Sequence, residues 1–174
     1  MSMKNFLMVF AFLLVPVFAS AQDKVKFHNG NVGEGKALEI TPQYVKFVYT
    51  GEDAVILLGA LTIENITFSN GRVQEISSKI EVKSPSDWEK VRIVYDKNEV
   101  FGMKSLGRIE KHSNGAWSLH MSTGHFMKKV QKKIQKEAAK QGACIALVVS
   151  ESTTEDKGFG SYADSSLICE LYTY

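Results

Sequence analysis

The first half of the chain, residues 25 to 76, shows short apolar runs that are broken by glycine and asparagine and have no helical period. Asn-Gly pairs at 29–30 and 70–71 stand between alternating apolar and polar positions, which is the strongest short-range signal for a β-hairpin. Between these pairs, further strands meet at Pro42 and turn again near Gly51. The pattern predicts an all-β unit of about six short strands, folded as an SH3-like or Sm-like small barrel.

The second half has a different pattern, in which one long amphipathic segment lies between strand-like runs. Apolar residues recur every four positions over residues 122 to 141 and line one face of a helix. These residues are Phe126, Val130, Ile134 and Ala138. The runs VRIVYDK and SLGRIEKH precede the helix, and ACIALVVSES and SSLICELYTY follow it. The order predicts a β-β-α-β-β unit, with one helix on an antiparallel sheet.

A polar stretch at 81–89 separates the two halves, and Pro85 within it cannot continue a central strand. We interpret this stretch as a linker, and we expect a mixed α+β protein overall. The predicted organisation is a signal peptide at 1–21, a small β-barrel-like module at 22–80, the linker at 81–89 and an α+β domain at 90–174.

The N-terminal residues indicate export from the cytoplasm. Lys4 precedes an apolar run over residues 6 to 18, and small residues at Ala19 and Ala21 fit a signal-peptidase site, so we expect cleavage after Ala21. The run is shorter than a membrane span requires, and no cysteine follows the cleavage site to carry a lipoprotein anchor. We therefore expect a periplasmic or secreted protein that does not span the membrane.

Two parts of the chain resemble envelope proteins of Gram-negative bacteria. Residues 24–76, with KVKFHNGNVGEGKALEITPQYVKFVY and ITFSNGR, resemble a small β module of secreted envelope proteins to which no activity is attached. Residues 90–174, with SLGRI, the helix and EAAKQGACIALVV, resemble envelope domains related to the Rcs-type outer-membrane stress-sensor lipoprotein. This chain differs from that sensor in having no lipid-attachment cysteine and only two cysteines. The resemblance implies a small α+β envelope domain that contacts other proteins, and it brings no catalytic residue.

The two cysteines, Cys144 and Cys169, lie in the last two predicted strands. If these strands form a hairpin with the cysteines directly opposed, Val148 faces Ser165 and the loop centres between residues 156 and 157. Opposed Cα atoms then lie roughly 4.5 to 5.5 Å apart, which a disulfide accepts. We expect a disulfide because export allows one. Two buried free thiols, or a reactive or metal-binding pair, are the alternatives.

A basic helix face is the main candidate for an interaction surface. The lysines away from the apolar stripe are Lys128, Lys129, Lys132, Lys133, Lys136 and Lys140, with Glu137 as the one carboxylate among them. Such a face suits a lipid surface or an acidic envelope protein, and it equally suits a solvated surface that only maintains solubility. Trp88 and Trp117 are candidate aromatic anchors, with core packing as the alternative use of both.

Catalytic and metal-binding motifs are missing from the sequence. It contains no G-x-S-x-G, P-loop, H-E-x-x-H or strand-linked G-x-G-x-x-G, so we expect no enzyme and no cofactor. The histidines, which are His28, His112, His120 and His125, match no metal signature. A net charge of +2 gives no reason to expect nucleic acid.

These observations together predict a non-catalytic periplasmic binding or protein-interaction protein of the cell envelope. A carrier of a small apolar ligand is one alternative, and it requires an internal cavity in one of the domains. A hydrolase with a site at the domain junction is the other alternative. It requires a polar cleft that contains a titratable group with a shifted pKa.

Overall fold

Residues 22–116, 123–156 and 162–174 are described by a computed structural model, in which they form two sheets and one α-helix. This architecture confirms the mixed α+β class that the sequence pattern predicts. The signal peptide predicted at 1–21 lies outside the described residues and stays a prediction.

Six strands form the first sheet, and their boundaries follow the alternating pattern of the sequence. They are β1 (Asp23–Phe27), β2 (Val32–Ile40), β3 (Tyr44–Tyr49), β4 (Ile56–Gly59), β5 (Ile63–Thr67) and β6 (Val73–Glu75). Both predicted Asn-Gly turns connect antiparallel neighbours, and Gly30 and Gly71 have the left-handed φ values of 91° and 84° that such turns require. Phe47, Ile63 and Ile66 are fully buried at the centre of this sheet's core.

The first sheet has two free ends in the part of the chain that is described. Its strand order is β4-β3-β2-β1-β5-β6, and β4 and β6 are the two edges, so a closed barrel is not formed. Turn signals specify which neighbouring strands pair, but closure depends on how strongly the sheet coils, which the pattern does not encode.

The second sheet carries the single α-helix on one face. Its elements are β7 (Arg92–Val94), β8 (Lys104–Ala116), α1 (Thr123–Lys140), β9 (Ile145–Asp156) and β10 (Tyr162–Thr173). The helix buries the predicted stripe against the sheet, since Val130, Ile134 and Ala138 have no exposed surface. The strand order is β7-β9-β10-β8, and β7 runs parallel to β9 while the other neighbours are antiparallel. The expectation of a wholly antiparallel sheet is therefore wrong at β7.

The predicted disulfide is not formed, because the last hairpin has a different register. Cys169 faces Val148, and Ser165 faces Thr153 rather than Val148. The polar run that follows Val149 continues as strand instead of forming the loop, which moves the register by four to five residues. Cys144 precedes β9 and its thiol lies 3.6 Å from the backbone oxygen of Tyr172. Both cysteines are buried free thiols.

The stretch predicted as a linker folds against the second sheet. Pro85–Lys90 forms a short 3-10 helix, whose first turn is closed by a capping box between Ser84 and Asp87. Val82 and Trp88 pack against the core beneath α1. The carbonyl oxygen of Val91 accepts a hydrogen bond from the Gln135 side chain at 2.9 Å, which fixes the end of this segment to α1.

The two sheets meet through β4 and a second 3-10 helix at Lys97–Val100. The amide of Gly59 donates a 2.9 Å hydrogen bond to the carbonyl oxygen of Phe101. Leu61 is buried in one cluster with Val94 and Ile145, so apolar side chains from both sheets share a core. The phenol of Tyr174 accepts a 3.1 Å hydrogen bond from the Ile80 amide. The sheets therefore pack against each other through apolar contacts and backbone hydrogen bonds.

Candidate functional site

The six lysines predicted to form a basic face all lie exposed on α1, on the side away from the sheet. They are Lys128, Lys129, Lys132, Lys133, Lys136 and Lys140. At 3.6 residues per turn they fall within an arc of about 140°, and the first and last are separated by about 18 Å along the helix axis. We call this surface the lysine face. No large exposed hydrophobic side chain occurs among the described residues of α1.

Very little negative charge balances the lysine face. Glu137 is the one acidic residue of α1, and its carboxylate lies 3.6 Å from the ammonium group of Lys140 and 3.7 Å from that of Lys111. Lys140, as the main cause, holds the pKa of Glu137 below its ordinary value. Within the described ranges, none of the other five lysines has a carboxylate oxygen within 4.0 Å. The lysine face is therefore strongly positive.

This arrangement costs helix stability. Four pairs of lysines on the face are spaced i,i+4, and a like-charged pair at that spacing destabilises a helix by roughly 0.2 to 0.5 kcal/mol. The four pairs together cost about 1 to 2 kcal/mol. A mixture of lysine and glutamate would keep the helix equally soluble without this cost, so solubility alone does not require a single sign of charge.

Trp88 lies beside the lysine face but is half-buried. Its ring packs on the core beneath α1, and the ammonium groups of Lys132 and Lys136 lie 4.8 and 5.5 Å from the ring centroid. Trp88 therefore anchors the 3-10 helix to α1 and holds two lysines in place by cation–π contact. The other predicted anchor, Trp117, lies outside the described residues.

A cleft of about 740 Å³ opens on the face of the second sheet that α1 does not cover. Residues 97–103 cross this face between β7 and β8 and form one wall. The floor includes Arg108, Glu170 and Tyr172, which alternate along the strands with residues that face the helix. Val149 forms part of the opposite wall. It is the extra residue of a bulge opposite β10 and is 46% exposed.

The polar groups on the floor of this cleft come from two strands, β8 and β10, that are distant in the sequence. Arg108 of β8 stands directly opposite Glu170 of β10. The hydroxyl of Ser105 donates a 2.8 Å hydrogen bond to the Glu170 carboxylate. Burial, reinforced by the Glu170 charge, raises the pKa of the nearby Tyr172 phenol. No motif marks these residues, although the alternation in SSLICELYTY indicates a strand with one polar face.

A serine–histidine pair lies at the junction of the two sheets. Nε2 of His28 is 2.8 Å from Oγ of Ser77, and that hydroxyl also lies 2.8 Å from the carbonyl oxygen of Ile63. If the serine donates to the carbonyl, the histidine must donate to the serine and is not acting as its base. Nδ1 of His28 is buried without a hydrogen-bond partner among the described residues, so no third group orients the ring. Burial lowers the pKa of His28.

Both thiols are unsuited to reaction or metal binding. Burial raises the pKa of Cys144 and of Cys169 to about 11, so the reactive thiolate is scarce near neutral pH. No set of three histidine, cysteine or acidic side chains is placed to hold a metal ion in the described part of the chain. Of the four histidines considered as metal ligands, His120 lies outside the described residues.

Among the residues with described positions, no helix has both the length and the apolar character needed to cross a bilayer. Comparisons of the chain with protein-family models, with curated proteins and with solved structures gave no match.

Proposed function

We propose that this chain is a non-catalytic interaction protein of the cell envelope and that its lysine face binds an anionic lipid surface. The observation that carries the proposal is the run of six exposed lysines on α1, five of which have no carboxylate within 4.0 Å among the described residues. The proposal rests on the predicted export, since the signal peptide would place the protein beside membranes.

A lipid surface fits the lysine face better than a protein partner does. Protein interfaces are centred on apolar and aromatic side chains that become fully desolvated. The lysine face offers no exposed large apolar side chain, and Trp88 is already held in the core. Lysine is a flexible, strongly hydrated point charge, which suits diffuse attraction to many headgroups rather than bidentate recognition of one carboxylate.

The expected strength follows from the number of lysines that reach the surface. Each contributes about 1 kcal/mol near an anionic membrane. Four lysines on the outer part of the arc would contribute about 4 kcal/mol, which is roughly a thousandfold in the binding constant. Salt weakens this attraction because the Debye length falls from about 10 Å at 0.1 M to about 3 Å at 1 M.

Co-sedimentation of the exported protein with lipid vesicles tests the proposal. We expect retention on vesicles that contain phosphatidylglycerol, little retention on phosphatidylcholine alone, and release as salt is raised. Equal binding to both vesicle types, or binding that salt does not weaken, would contradict the proposal. Binding to soluble polyglutamate but not to anionic vesicles would assign the lysine face to an acidic protein partner instead.

The fold of the N-terminal unit is proposed at a finer level as a curled sheet of the SH3 or Sm type. Two features support this interpretation. The strands β1 to β4 form a meander, and β5 returns to pair with the outer side of β1. A 3-10 turn at Ala60–Thr62 separates β4 from β5 and supplies the change of direction.

A further inference from the structure

The cleft on the helix-free face contains two carboxylates and two cationic groups, but these are not equally available. The Glu170 carboxylate accepts from Ser105, and the Asp96 carboxylate accepts a 2.9 Å hydrogen bond from the Asn98 amide, where it caps a 3-10 helix. Arg108 and Lys97 also line the cleft. Neither makes a side-chain hydrogen bond or ion pair with any described residue.

The formal charges of the four groups cancel, so what distinguishes Arg108 is not a net positive charge but N–H donors that have no partner among the described residues. An arginine guanidinium carries five N–H donors in a planar fork that matches a carboxylate or phosphate in two parallel hydrogen bonds. The guanidinium of Arg108 is therefore the group in this cleft best suited to hold an anion.

The rest of the cleft supplies apolar contact beside this charge. Phe101 and Met103 stand on the crossing segment, and Leu147 and Val149 come from β9. Val149 is kept exposed by the bulge, whereas Leu147 is buried beneath the crossing segment. A volume of about 740 Å³ lies within the range of small-molecule sites.

We propose that this cleft binds a small amphipathic anion, with the carboxylate or phosphate held by Arg108 and the apolar part lying against Phe101, Met103 and Val149. This site is separate from the lysine face, which lies on the opposite side of the sheet. It also differs from the enclosed apolar cavity that a carrier of a purely apolar ligand requires.

Calorimetric titration of the exported protein tests the proposal with four probes of one chain length. Decanoate and decyl phosphate carry the two anionic heads, decyltrimethylammonium carries a cationic head, and decanol carries none. All are used below their micelle concentrations. We expect both anions to bind at least roughly tenfold more tightly than the cation and the alcohol. The ratio between decanoate and decyl phosphate identifies which anionic head the site prefers.

Three variants separate the cleft from other cationic surfaces. Arg108→Gln should weaken anion binding roughly tenfold or more, because it removes the charge-assisted hydrogen bonds from the guanidinium to the anion. Arg72→Gln removes the same charge from an exposed site on the first sheet and should leave binding unchanged. Val149→Asp places a negative charge, which repels an anionic ligand, in the apolar wall of the cleft. It should weaken anion binding to a similar extent. Each variant is compared with the native protein by circular dichroism.

A fourth variant keeps this proposal distinct from the proposed lipid binding. Replacement of four lysines of the lysine face by glutamine should abolish vesicle retention and leave decanoate affinity within about twofold. The cleft proposal is overturned if decyltrimethylammonium or decanol binds as tightly as the anions. The cleft proposal is also overturned if Arg108→Gln leaves the affinity for decanoate and decyl phosphate unchanged. Loss of that affinity in the variant with four lysines of the lysine face replaced, but not in Arg108→Gln, would overturn it as well.

Discussion

The close approach of β4 to the segment at residues 97–103 requires a glycine at position 59, and substitution of Gly59 by alanine tests it. The backbone of Gly59 has φ −61° and ψ 132°, which any residue adopts, so alanine introduces no backbone strain. An added Cβ would instead lie 2.5 Å from the carbonyl oxygen of Glu99 and 2.7 Å from the amide nitrogen of Phe101. Both are backbone atoms that cannot rotate away. The sheets would have to move apart at this point.

The expected loss of stability combines three contributions. Overpacking of a tight contact costs about 1 to 3 kcal/mol, and weakening of the hydrogen bond from Gly59 to Phe101 costs about 0.5 to 1.5 kcal/mol. Alanine restricts the unfolded chain more than glycine does and returns about 0.4 to 1 kcal/mol. The net destabilisation is about 0.5 to 4 kcal/mol, with a middle value of about 2 kcal/mol. For a chain of this size, a 2 kcal/mol loss lowers Tm by roughly 4 to 8 °C.

Urea denaturation and amide hydrogen exchange measure this effect. Gly71→Ala is the matched control, since Gly71 has a φ of 84° and open space around it. It should cost roughly 1 to 2 kcal/mol through backbone strain alone, without loosening the junction. Gly59→Ala should selectively speed exchange at the amides of residues 99–103. Stability equal to or above that of the native protein would refute the close approach of β4 to the crossing segment.

Three further predictions follow from buried groups and from the segment at 81–89. Both thiols should resist alkylation in the native protein, because a pKa of about 11 instead of 9.0 leaves about a hundredfold less thiolate at a given pH. After denaturation without reductant, the intact mass should show two added alkyl groups. A mass that shows no added alkyl group would mean that Cys144 and Cys169 form a disulfide. Because burial lowers the pKa of His28 in the folded state, the protein should lose stability as the pH falls below the ordinary histidine pKa of about 6.5. A urea series at several pH values should show a smaller loss in His28→Gln, and an unchanged loss would exclude His28 as its source. Trypsin should cut slowly after Lys83 and Lys90, because residues around them pack on α1. Rapid cutting that leaves two stable halves would mean that residues 81–89 form a free linker.

The helix and the hairpin turns were predictable because their signals are local. The stripe that includes Val130 and Ile134 repeats at the helical period, and burial of one face selects that period. The same periodicity placed the lysines on the opposite side, so the lysine face was predictable as well. Glycine at 30 and 71 marks turns because few other residues adopt a left-handed conformation at low cost.

The last hairpin and the cleft were not predictable from these signals. The run after Val149 is polar on both faces, and a strand exposed on both sides has no apolar alternation to fix its register. The pairing of Cys144 with Cys169 failed for this reason. The cleft brings Arg108 and Glu170 together from segments that are distant in the sequence. Their proximity depends on strand order, which a local pattern does not specify.

If the lysine face binds an anionic lipid surface, two variants of equal net charge should differ in their binding to vesicles. One variant replaces Lys128, Lys129, Lys132 and Lys136 with glutamine. The other replaces Lys24, Lys36, Lys79 and Lys104 with glutamine; these lysines are exposed outside α1 and do not line the cleft. Both retain Lys133, whose ammonium donates to the His112 carbonyl oxygen, and Lys140, which contacts Glu137.

The measurement is the binding constant of each variant for vesicles that contain phosphatidylglycerol, at 0.1 M salt, where the Debye length is about 10 Å. We expect the first variant to lose at least roughly a hundredfold in its binding constant, while the second stays within roughly threefold of the native protein. Equal losses in the two variants would show that only net charge matters. That result would contradict a binding surface on α1.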